Sequence, residues 1–410
     1  MLNHIVRDGT LTVVFPDGAS QLFGRGAPQV NIHLHDWWAV WQLGLDPDLA
    51  LGELYMNGRL TVEQGDIRAL LELLMRNFGN SGPMGLQKLG RMLRRLTRAL
   101  AQFNPASRAK DHVAHHYDLS GKLYDLFLDK DLQYSCAYFF DPSATLDEAQ
   151  IAKKRHIAAK LNLNRPGLNV LDIGCGWGGL ALDLARDSEA NVLGITLSEE
   201  QIAVAKQRAK ESGLAARAKF SLIDYRAIGG QFDRIVSVGM FEHVGIVYYD
   251  VFFRKAAELL KNDGAMLLHT VGRVDGPGAT NAWMAKYIFP GGYAPALSEV
   301  VAAIERNGLI VTDVEVLRLH YAETLKEWQK RFQTRRSEVA KLYDERFCRM
   351  WEFYLAGSEM TFRYDGEVVY QIQIAKRLDT LPITRDYVID SERTMKVAGT
   401  TQMPHVSSAA

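Results

Sequence analysis

Short apolar runs alternate with amphipathic stretches through the middle of the chain. The apolar runs are Val170–Ile173, Val192–Leu197, Phe220–Ile223, Arg234–Val238 and Met266–Val271. Between them, segments such as Glu199–Ser212 and Tyr248–Lys261 have the pattern of helices. Strands that alternate with helices predict a parallel sheet with helices on both faces. We therefore expect an α/β, Rossmann-like domain over residues 109–385.

The first part of the chain has a different pattern. Residues 10–62 alternate short apolar runs with Gly, Pro and Asp, and residues 66–78 carry one apolar helical face. A smaller mixed α/β, partly helical domain is therefore expected over residues 1–105. We interpret Trp37, Trp38 and Trp41 as core residues rather than as a lipid anchor, because large aromatic side chains contribute most when buried.

A basic amphipathic segment follows at residues 84–104. Its leucines recur at steps of three and four residues, which places them on one side of a helix. The segment contains no acidic residue, and its other positions carry Lys88, Arg91, Arg94, Arg95 and Arg98. Such a helix could lie on anionic lipid headgroups, or it could pack its leucines against the protein and leave its arginines in water. The sequence leaves both interpretations open.

Two segments are expected to lack regular structure. Asn104-Pro105-Ala106-Ser107 breaks the basic helix and marks a linker. Residues 391–410 are polar and without periodicity, so we predict a flexible tail there.

Composition narrows the class of function. Lys plus Arg equals Asp plus Glu at 48 each, so no net charge attracts nucleic acid. Cys136, Cys175 and Cys348 lack the spacing of a metal site or a disulfide framework, which fits a reducing compartment. We see neither a signal peptide nor an apolar run of membrane-spanning length. We therefore expect a cytoplasmic, metal-free protein that would reach any lipid from the membrane surface.

A glycine-rich turn follows the first strand of the α/β domain, in the sequence VLDIGCGWGG over residues 170–179. Glycines let a backbone approach a ligand closely, but Gly174, Gly176 and Gly179 also fit the dinucleotide fingerprint. Asp172 favours S-adenosylmethionine, because its carboxylate is well placed to meet the ammonium group of an amino-acid-bearing cofactor. The next strand ends in GITLS, residues 194–198, without the acid that an NAD site places on the ribose. A glycine turn without a ligand is the remaining alternative.

Several motifs then occur together in one order. They are Tyr117-Asp118-Leu119-Ser120, YSCAYF at 134–139, LDIGCGWGG at 171–179, GITLSEEQ at 194–201 and FDRIVSVGMFEHVG at 232–245. With these motifs the chain resembles the cyclopropane-fatty-acyl-phospholipid synthases and the related mycolic acid cyclopropane synthases. The resemblance is strong from about residue 110 to residue 325 and weaker in the N-terminal region. It implies the fold of an S-adenosylmethionine-dependent methyltransferase.

The resemblance also implies which residues of this chain bind the cofactor. Tyr134 and Ser135 match positions that close over its amino-acid end, and Gly174 and Gly176 match its glycine loop. The positions that match ribose and adenine contacts, or line the same cleft, are Thr196, Leu197, Gln201, Asp224, Tyr225 and Gly239.

Members of this family bind a bicarbonate ion beside the transferred methyl group. The matching side chains are Cys136, Glu242, His269 and Tyr321, with a backbone contact at Val271 where the family usually has Ile. Judged from the residues alone, His269 could equally be a core residue and Glu242 a strand-end cap. We favour a buried apolar role for Cys136 over a nucleophilic one, because nothing basic adjoins it in sequence.

The resemblance implies addition of a one-carbon unit to the cis double bond of an unsaturated phospholipid chain. A carbocation would form, and the bound bicarbonate would deprotonate it to close a cyclopropane ring. The alkene must be held close to the methyl group, and water must be excluded from the cation. The aromatic candidates for such a dry wall are Tyr134, Tyr138, Phe139, Trp177 and Tyr287.

Other functions stay open. The same cation would yield a methyl- or methylene-branched fatty acid if it lost a different proton or were reduced. A nucleic-acid methyltransferase is disfavoured, because the fourth strand is followed by Gly-Met-Phe-Glu-His at 239–243 instead of an Asn/Asp-Pro-Pro-aromatic turn. A non-catalytic lipid-binding protein is the third alternative. The resemblance further suggests a homodimer that associates peripherally with the inner face of the membrane through its N-terminal domain.

Overall fold

The computed structural model describes residues 6–78, 102 and 121–400. Apart from residue 102, the basic segment at 84–104 lies outside the described residues. The same holds for residues 105–107 of the linker, the motif at 117–120 and residues 401–410. What we expect of these segments stays a prediction.

An N-terminal unit over residues 8–78 combines a small antiparallel sheet with three helices. The strands β1 (Asp8–Val14), β2 (Ser20–Leu34) and β3 (Leu60–Gln64) are arranged in that order. The helices are α1 (Trp37–Leu45), α2 (Pro47–Met56) and α3 (Ile67–Phe78). Asp36 begins α1 by accepting the amide of Ala39 at 2.9 Å. Apolar residues that alternate along β1 and β2 face the helices and form the core of the unit.

The three tryptophans of α1 are not core residues, so this prediction is wrong. Trp37, Trp38 and Trp41 are 52%, 60% and 66% exposed, and the fully buried residue of this helix is the small Ala39. Because α1 turns a small side chain inward, its large aromatic side chains point away from the core.

A seven-stranded sheet forms the centre of the second unit. Its strands are β4 (Asn169–Ile173), β5 (Asn191–Thr196), β6 (Ala218–Leu222), β7 (Phe232–Val238), β8 (Leu260–Arg273), β9 (Ile310–Val316) and β10 (Glu367–Ala375). They lie in the order β6-β5-β4-β7-β8-β10-β9. The strands β4 to β8 pair in parallel, as predicted. The order reverses at β4, and open α/β sheets bind ligands beyond the carboxyl ends of their strands at such a reversal.

The sheet is not wholly parallel, which corrects the prediction. The strand β10 runs antiparallel to both β8 and β9. Its residues lie directly opposite those of β8, so that Gln371 faces His269. A polar residue of β10 therefore enters the region at the end of β8.

Ten further helices surround the sheet among the described residues. They are α4 (Gly121–Asp125), α5 (Leu146–Lys160), α6 (Gly179–Asp187), α7 (Glu199–Glu211), α8 (Tyr249–Leu259), α9 (Ala282–Tyr287), α10 (Leu297–Arg306), α11 (His320–Leu342), α12 (Glu345–Tyr364) and α13 (Asp386–Thr400). Thr145 and Ser198 cap α5 and α7 with their side-chain oxygens. None of the helices described is both long and apolar enough to cross a membrane.

The flexible tail predicted from residue 391 is helical as far as Thr400. Glu392 of α13 contacts His156 of α5, and Tyr387 accepts a hydrogen bond from Gln373 at 2.6 Å. These contacts with the second unit hold the helix in place, and a reading of periodicity alone does not detect them.

Candidate active site

All eleven residues expected to bind the cofactor line one cavity, of about 150 Å³, at the carboxyl ends of β4, β5 and β7. They are Tyr134, Ser135, Asp172, Gly174, Gly176, Thr196, Leu197, Gln201, Asp224, Tyr225 and Gly239. We call this space the cofactor cavity. It lies where the strand order reverses, the usual position of a ligand in such a sheet.

Two glycines shape the floor of the cofactor cavity. Gly174 and Gly176 have φ angles of 86° and 53°, a left-handed conformation that other residues rarely adopt. A Cβ atom on Gly174 would lie 2.7 Å from the Cβ of Met240. A side chain at this position would therefore force the loop away from the end of β7.

Asp172 provides a test of whether the cavity suits an amino-acid-bearing cofactor. The residue is 1% exposed, and its Oδ2 atom has no hydrogen-bond partner. Burial raises its pKa to about 7, although nearby Lys153 lowers it. An ammonium group would supply the missing partner and favour the ionised carboxylate. The residues present therefore fit S-adenosylmethionine.

Two further groups on the cavity wall are already ordered by hydrogen bonds. At the end of β5, Thr196 donates from Oγ1 to Oε1 of Gln201 at 2.8 Å, which orients the amide of Gln201. Beyond β6, Asp224 accepts hydrogen bonds from the guanidinium of Arg226 at 2.8 and 2.6 Å. Arg226 lines the cavity as well, and the sequence did not identify it.

A buried lysine supports the segment that was expected to close over the cofactor. Lys153 of α5 donates to Ser135 Oγ at 2.9 Å and to Gln133 Oε1 at 2.6 Å. Burial lowers the pKa of Lys153 to about 8. In the same segment, the hydroxyl groups of Tyr134 and Tyr354 lie 2.8 Å apart. These bonds join the closing segment to both α5 and α12.

A second cavity, of about 1030 Å³, adjoins the first, and we call it the reaction cavity. Cys136, Glu242, His269 and Tyr321, the four residues predicted to be catalytic, all line it. The two cavities share Tyr134, Ser135, Gly239 and His243. The structure thus brings the predicted catalytic residues next to the residues expected at the amino-acid end of the cofactor.

Glu242 is the acidic group among these four residues. It lies in a short helical turn, Phe241–His243, directly after β7, and its Oε2 atom is buried without a hydrogen-bond partner. The backbone N–H of Val271 donates to Oε1 at 2.6 Å. Burial raises the pKa of Glu242 to about 7, against the effect of this bond. The backbone of Val271, where the resemblance implies a contact with bicarbonate, therefore also holds this carboxylate.

His269, at the edge of the reaction cavity, is a buried and neutral imidazole. Burial lowers its pKa well below the ordinary value. The side-chain amide of Gln371 donates to Nδ1 at 3.1 Å, so the ring proton belongs on Nε2. His269 can therefore act as a hydrogen-bond donor through Nε2, and Gln371 sets that orientation. The core interpretation of His269 accounts for its burial but not for its place on the cavity wall.

Cys136 is a buried thiol and not an activated nucleophile. It is 1% exposed, and burial raises the pKa of the thiol. The sulfur donates to the carbonyl of Ala137 at 3.3 Å. This agrees with the apolar role that we favoured.

Four of the five aromatic residues proposed as a dry wall do not line the reaction cavity, so this prediction is wrong for them. Tyr138 stacks against His156 and His320, and Phe139 lies beside His320. Trp177 lines the cofactor cavity, and Tyr287 donates to Glu53 at 2.8 Å. The aromatic residues on the cavity wall are Phe15, Tyr134, Trp283, Phe289, Tyr293, Tyr321, Phe353, Tyr354 and Phe362.

Sequence reasoning missed Gln371 and Lys153, and the signals for them differ. Gln371 interrupts the apolar run Val368-Val369-Tyr370-Gln371-Ile372, and a polar residue inside a buried strand is a recognisable signal. Lys153 lies in an Ala- and Lys-rich helix where burial has no local signature. Only the packing of α5 against the site identifies it.

Outside both cavities, three residues of types that can bind metals cluster on the N-terminal sheet. Ligand atoms of His33, His35 and Glu63 lie within 4.8 Å of one another. Thr61 joins them, since its hydroxyl contacts His35 Nε2 at 3.0 Å and donates to Glu63 at 2.5 Å. These hydrogen bonds position His35 and Glu63 relative to each other.

Known proteins with similar sequences have the same catalytic domain. Residues 105–372 match the family model described as mycolic acid cyclopropane synthetase, and residues 1–81 match a domain of unknown function (DUF7884). The chain is 38% identical over 368 residues to a probable fatty acid methyltransferase of Pseudomonas putida, covering 85% of this chain and 88% of the relative. It is 37% identical over 333 residues to the cyclopropane-fatty-acyl-phospholipid synthase of Escherichia coli (strain K12), covering 81% and 84%.

A solved structure supports the cofactor. Mycolic acid cyclopropane synthase CmaA1, in complex with SAH and CTAB, is 35% identical to this chain with a TM-score of 0.62. The match covers 67% of this chain and 99% of that one.

The sheet order, the cofactor cavity and these similarities define an S-adenosylmethionine-dependent methyltransferase. More particularly, the chain belongs to the mycolic acid cyclopropane synthetase family. The expected fold is confirmed, and the non-catalytic alternative is wrong.

Proposed function

We propose that this enzyme adds a methylene unit to the cis double bond of an unsaturated phospholipid acyl chain and so forms a cyclopropane ring. One alkene carbon bonds to the transferred methyl carbon as the bond from that carbon to sulfur breaks. Loss of a proton from the methyl group then lets the second alkene carbon close the ring. S-adenosylmethionine supplies the methyl group, and bicarbonate supplies the base that takes the proton.

This proposal rests on the positions of Glu242 and His269, which both line a largely apolar cavity that adjoins the cofactor cavity. A small anion can be held there if it donates its O–H to Glu242 and accepts from His269 Nε2. Tyr321, on the same wall, offers a hydroxyl group. The orphaned Oε2 atom of Glu242 marks a position that needs such a donor.

The aromatic wall suits the rest of the reaction. Tyr134 stacks on Trp328 with ring centroids 5.1 Å apart, and Tyr321 meets Trp328 edge to face at 5.8 Å. Packed rings exclude water, and their faces stabilise a nearby cation. The protein would therefore protect the intermediate from water while the bound base removes the proton.

We also propose that helix α1 brings the enzyme to the lipid surface. Trp38, Trp41 and Leu45 form an exposed stripe on α1, and tryptophan prefers the headgroup region of membranes. The other side of the same helix, with Val40 and Leu43, lines the reaction cavity. One helix would thus touch both the membrane and the space proposed for the acyl chain.

Transfer of label tests the proposed substrate and base together. Purified enzyme would be incubated with S-adenosylmethionine that carries a labelled methyl group and with vesicles of cis-unsaturated phosphatidylglycerol, with and without bicarbonate. We expect label in the lipid, and at least about a hundredfold less of it, the order of magnitude of a lost general base, when bicarbonate is removed. Label in the lipid at an equal rate without bicarbonate would reject the base, and no label in lipid would reject the substrate.

A methyl-branched product is the second candidate. The probable fatty acid methyltransferase of Pseudomonas putida, to which the chain is similar, is named for methyl transfer to a fatty acid and not for ring formation. Both reactions would begin with the same methyl transfer and the same cation, but a saturated methyl branch would then need a hydride donor, whereas loss of a different proton would give an unsaturated branch.

A further inference from the structure

The reaction cavity does not end within the catalytic unit. It continues past α12 into the N-terminal unit, and its volume of about 1030 Å³ is at the upper end for small-molecule sites. The part of its wall inside the N-terminal unit is formed by Leu11, Val13, Ile32, Leu34, Leu60 and Leu70, all of them buried. A cavity lined in this way favours an apolar occupant over water.

Gly357 lines the reaction cavity from α12, the helix that packs against both units, and we call the space beside it the passage. Gly357 lies within the 20-residue helix α12, where glycine is less favourable than alanine. A Cβ atom there would meet only Leu71 Cδ1, at 3.9 Å, an ordinary contact. Local packing therefore leaves room for a side chain, and the space beside Gly357 belongs to the cavity.

The N-terminal wall is held in a fixed position relative to the catalytic residues. Arg68 of α3 donates two hydrogen bonds to Glu359 of α12, both at 2.8 Å. Ala356 and Met360 of α12 are part of the hydrophobic core of the N-terminal unit. The same helix carries Tyr354, whose hydroxyl contacts Tyr134 at the reaction site. Because this wall is fixed relative to the catalytic residues, it can limit the length of the chain segment that fits beyond them.

Most polar residues of the cavity wall, including Arg273, Asp275, Asn281, Asp365 and Glu367, lie on its catalytic-unit side. Asp48 is the charged wall residue that belongs to the N-terminal unit. A lipid chain has one polar end, at its ester, and one apolar end, at its methyl group. The distribution of wall residues therefore orients the chain with its methyl end toward the N-terminal unit.

We propose that the N-terminal unit, residues 8–78, is the distal part of the acyl-chain site. It holds the segment between the double bond and the terminal methyl group, and it sets the length of that segment. This role rests on the proposed function and deepens it. It also gives a ligand-binding task to the region that matches a domain of unknown function.

A side chain introduced at Gly357 tests this role. Gly357→Leu would fill the passage, whereas the control Gly357→Ala adds only the atom that the structure accommodates. Leu74→Phe, on α3, narrows the part of the cavity in the N-terminal unit. This variant replaces Gly357→Leu in the test if Gly357→Leu does not fold. Each enzyme would receive mixed vesicles of two phosphatidylglycerols with the double bond at the same distance from the ester and with long or short methyl-terminal segments.

We expect Gly357→Leu and Leu74→Phe to raise the preference for the short segment at least about tenfold, the order of magnitude for apolar pocket contacts. Gly357→Ala should keep the wild-type ratio. If both filled variants keep the wild-type ratio, or lose both substrates equally, the N-terminal unit does not hold the chain. If the wild-type enzyme modifies neither lipid, it is the proposed function that fails, and cofactor binding would confirm that the protein is intact.

Discussion

Asp172 and Glu242 are carboxyl groups whose charge depends on what is bound beside them. Burial raises the pKa of each to about 7, and each has one oxygen atom without a hydrogen-bond partner. Asp172 lines the cofactor cavity and Glu242 the reaction cavity. The first is suited to a cationic group and the second to a hydrogen-bond donor, so their substitution should affect different steps.

Glu242→Gln should lower turnover by at least about a hundredfold, because the amide nitrogen that replaces Oε2 cannot accept the O–H of the bound base. The affinity for S-adenosylmethionine should change little, since Glu242 does not line the cofactor cavity. Steady-state rates and calorimetric cofactor binding measure the two effects. Glu258→Gln, on an exposed part of α8, is the control. Turnover equal to that of the wild type would remove Glu242 from the mechanism.

Asp172→Asn should weaken S-adenosylmethionine binding and change how stability depends on pH. The pKa of Asp172 rises from 3.8 to about 7 in the folded protein without cofactor, so the folded state binds this proton more tightly than the unfolded chain. This contribution to stability is complete below the unfolded value and is lost as the pH rises through about 7.

Urea unfolding across that pH range, without cofactor, measures whether the free energy of unfolding falls as the pH rises. The wild type should lose stability relative to Asp172→Asn as the pH rises, and added S-adenosylmethionine should reverse the loss in the wild type. Parallel stability curves for the two proteins would show that Asp172 is not buried as described.

At this scale, motif order predicted that the eleven proposed cofactor residues lie together, but it did not predict side-chain direction. The eleven positions share a cavity because their motifs end neighbouring strands of one sheet. Tyr138 and Phe139 lie only two and three residues after Cys136, yet they turn toward His320 instead of the cavity. Adjacency in sequence does not determine which way a loop residue points.

At the scale of elements, the pairing of β8 with β10 orients His269. Gln371→Leu removes the donor to Nδ1 and should lower kcat roughly tenfold, raise the KM for bicarbonate and shift the pH profile, as expected when the donor that holds bicarbonate loses its orienting partner. Gln373→Leu removes another buried amide from the same strand, but that amide contacts Lys160 and Tyr387. If both variants change the KM for bicarbonate equally, Gln371 has a structural role only.

The exposed stripe on α1 leads to a separate prediction. Replacement of both Trp38 and Trp41 by Ser should weaken binding to phosphatidylglycerol vesicles several-fold while the melting temperature changes by only a few degrees, because exposed side chains contribute little to stability. Leu378→Ser, at another exposed apolar position, is the control in vesicle sedimentation. Undiminished binding by the double variant would assign membrane contact to other segments.

Periodicity predicted the parallel strands and their helices, and it missed β9 and β10. The parallel strands are continuous apolar runs because both of their faces are covered. β9 is only partly buried, with polar residues at Thr312, Asp313 and Glu315, and its pattern resembles a surface segment. The tryptophans of α1 were misassigned because hydrophobicity alone does not distinguish a buried face from an exposed one.

At the scale of the whole molecule, the two units form one continuous cavity. The match to CmaA1 covers 67% of this chain, and the family model begins at residue 105, so the catalytic unit is the shared part. The N-terminal unit adds an apolar space that opens onto the reaction site. No local pattern predicts such a space, because it exists only where α3 and α12 meet.

The identity of the lipid product tests the central claim most directly. Purified enzyme, S-adenosylmethionine, bicarbonate and vesicles of a cis-unsaturated phospholipid would be incubated, and the lipid analysed by mass spectrometry and proton NMR. We predict a mass gain of one CH2 with the upfield signals of cyclopropane protons and loss of the vinyl signals. A mass gain without ring protons would contradict cyclopropanation and establish a branched product, and no gain despite cofactor binding would contradict the assignment of the lipid as substrate.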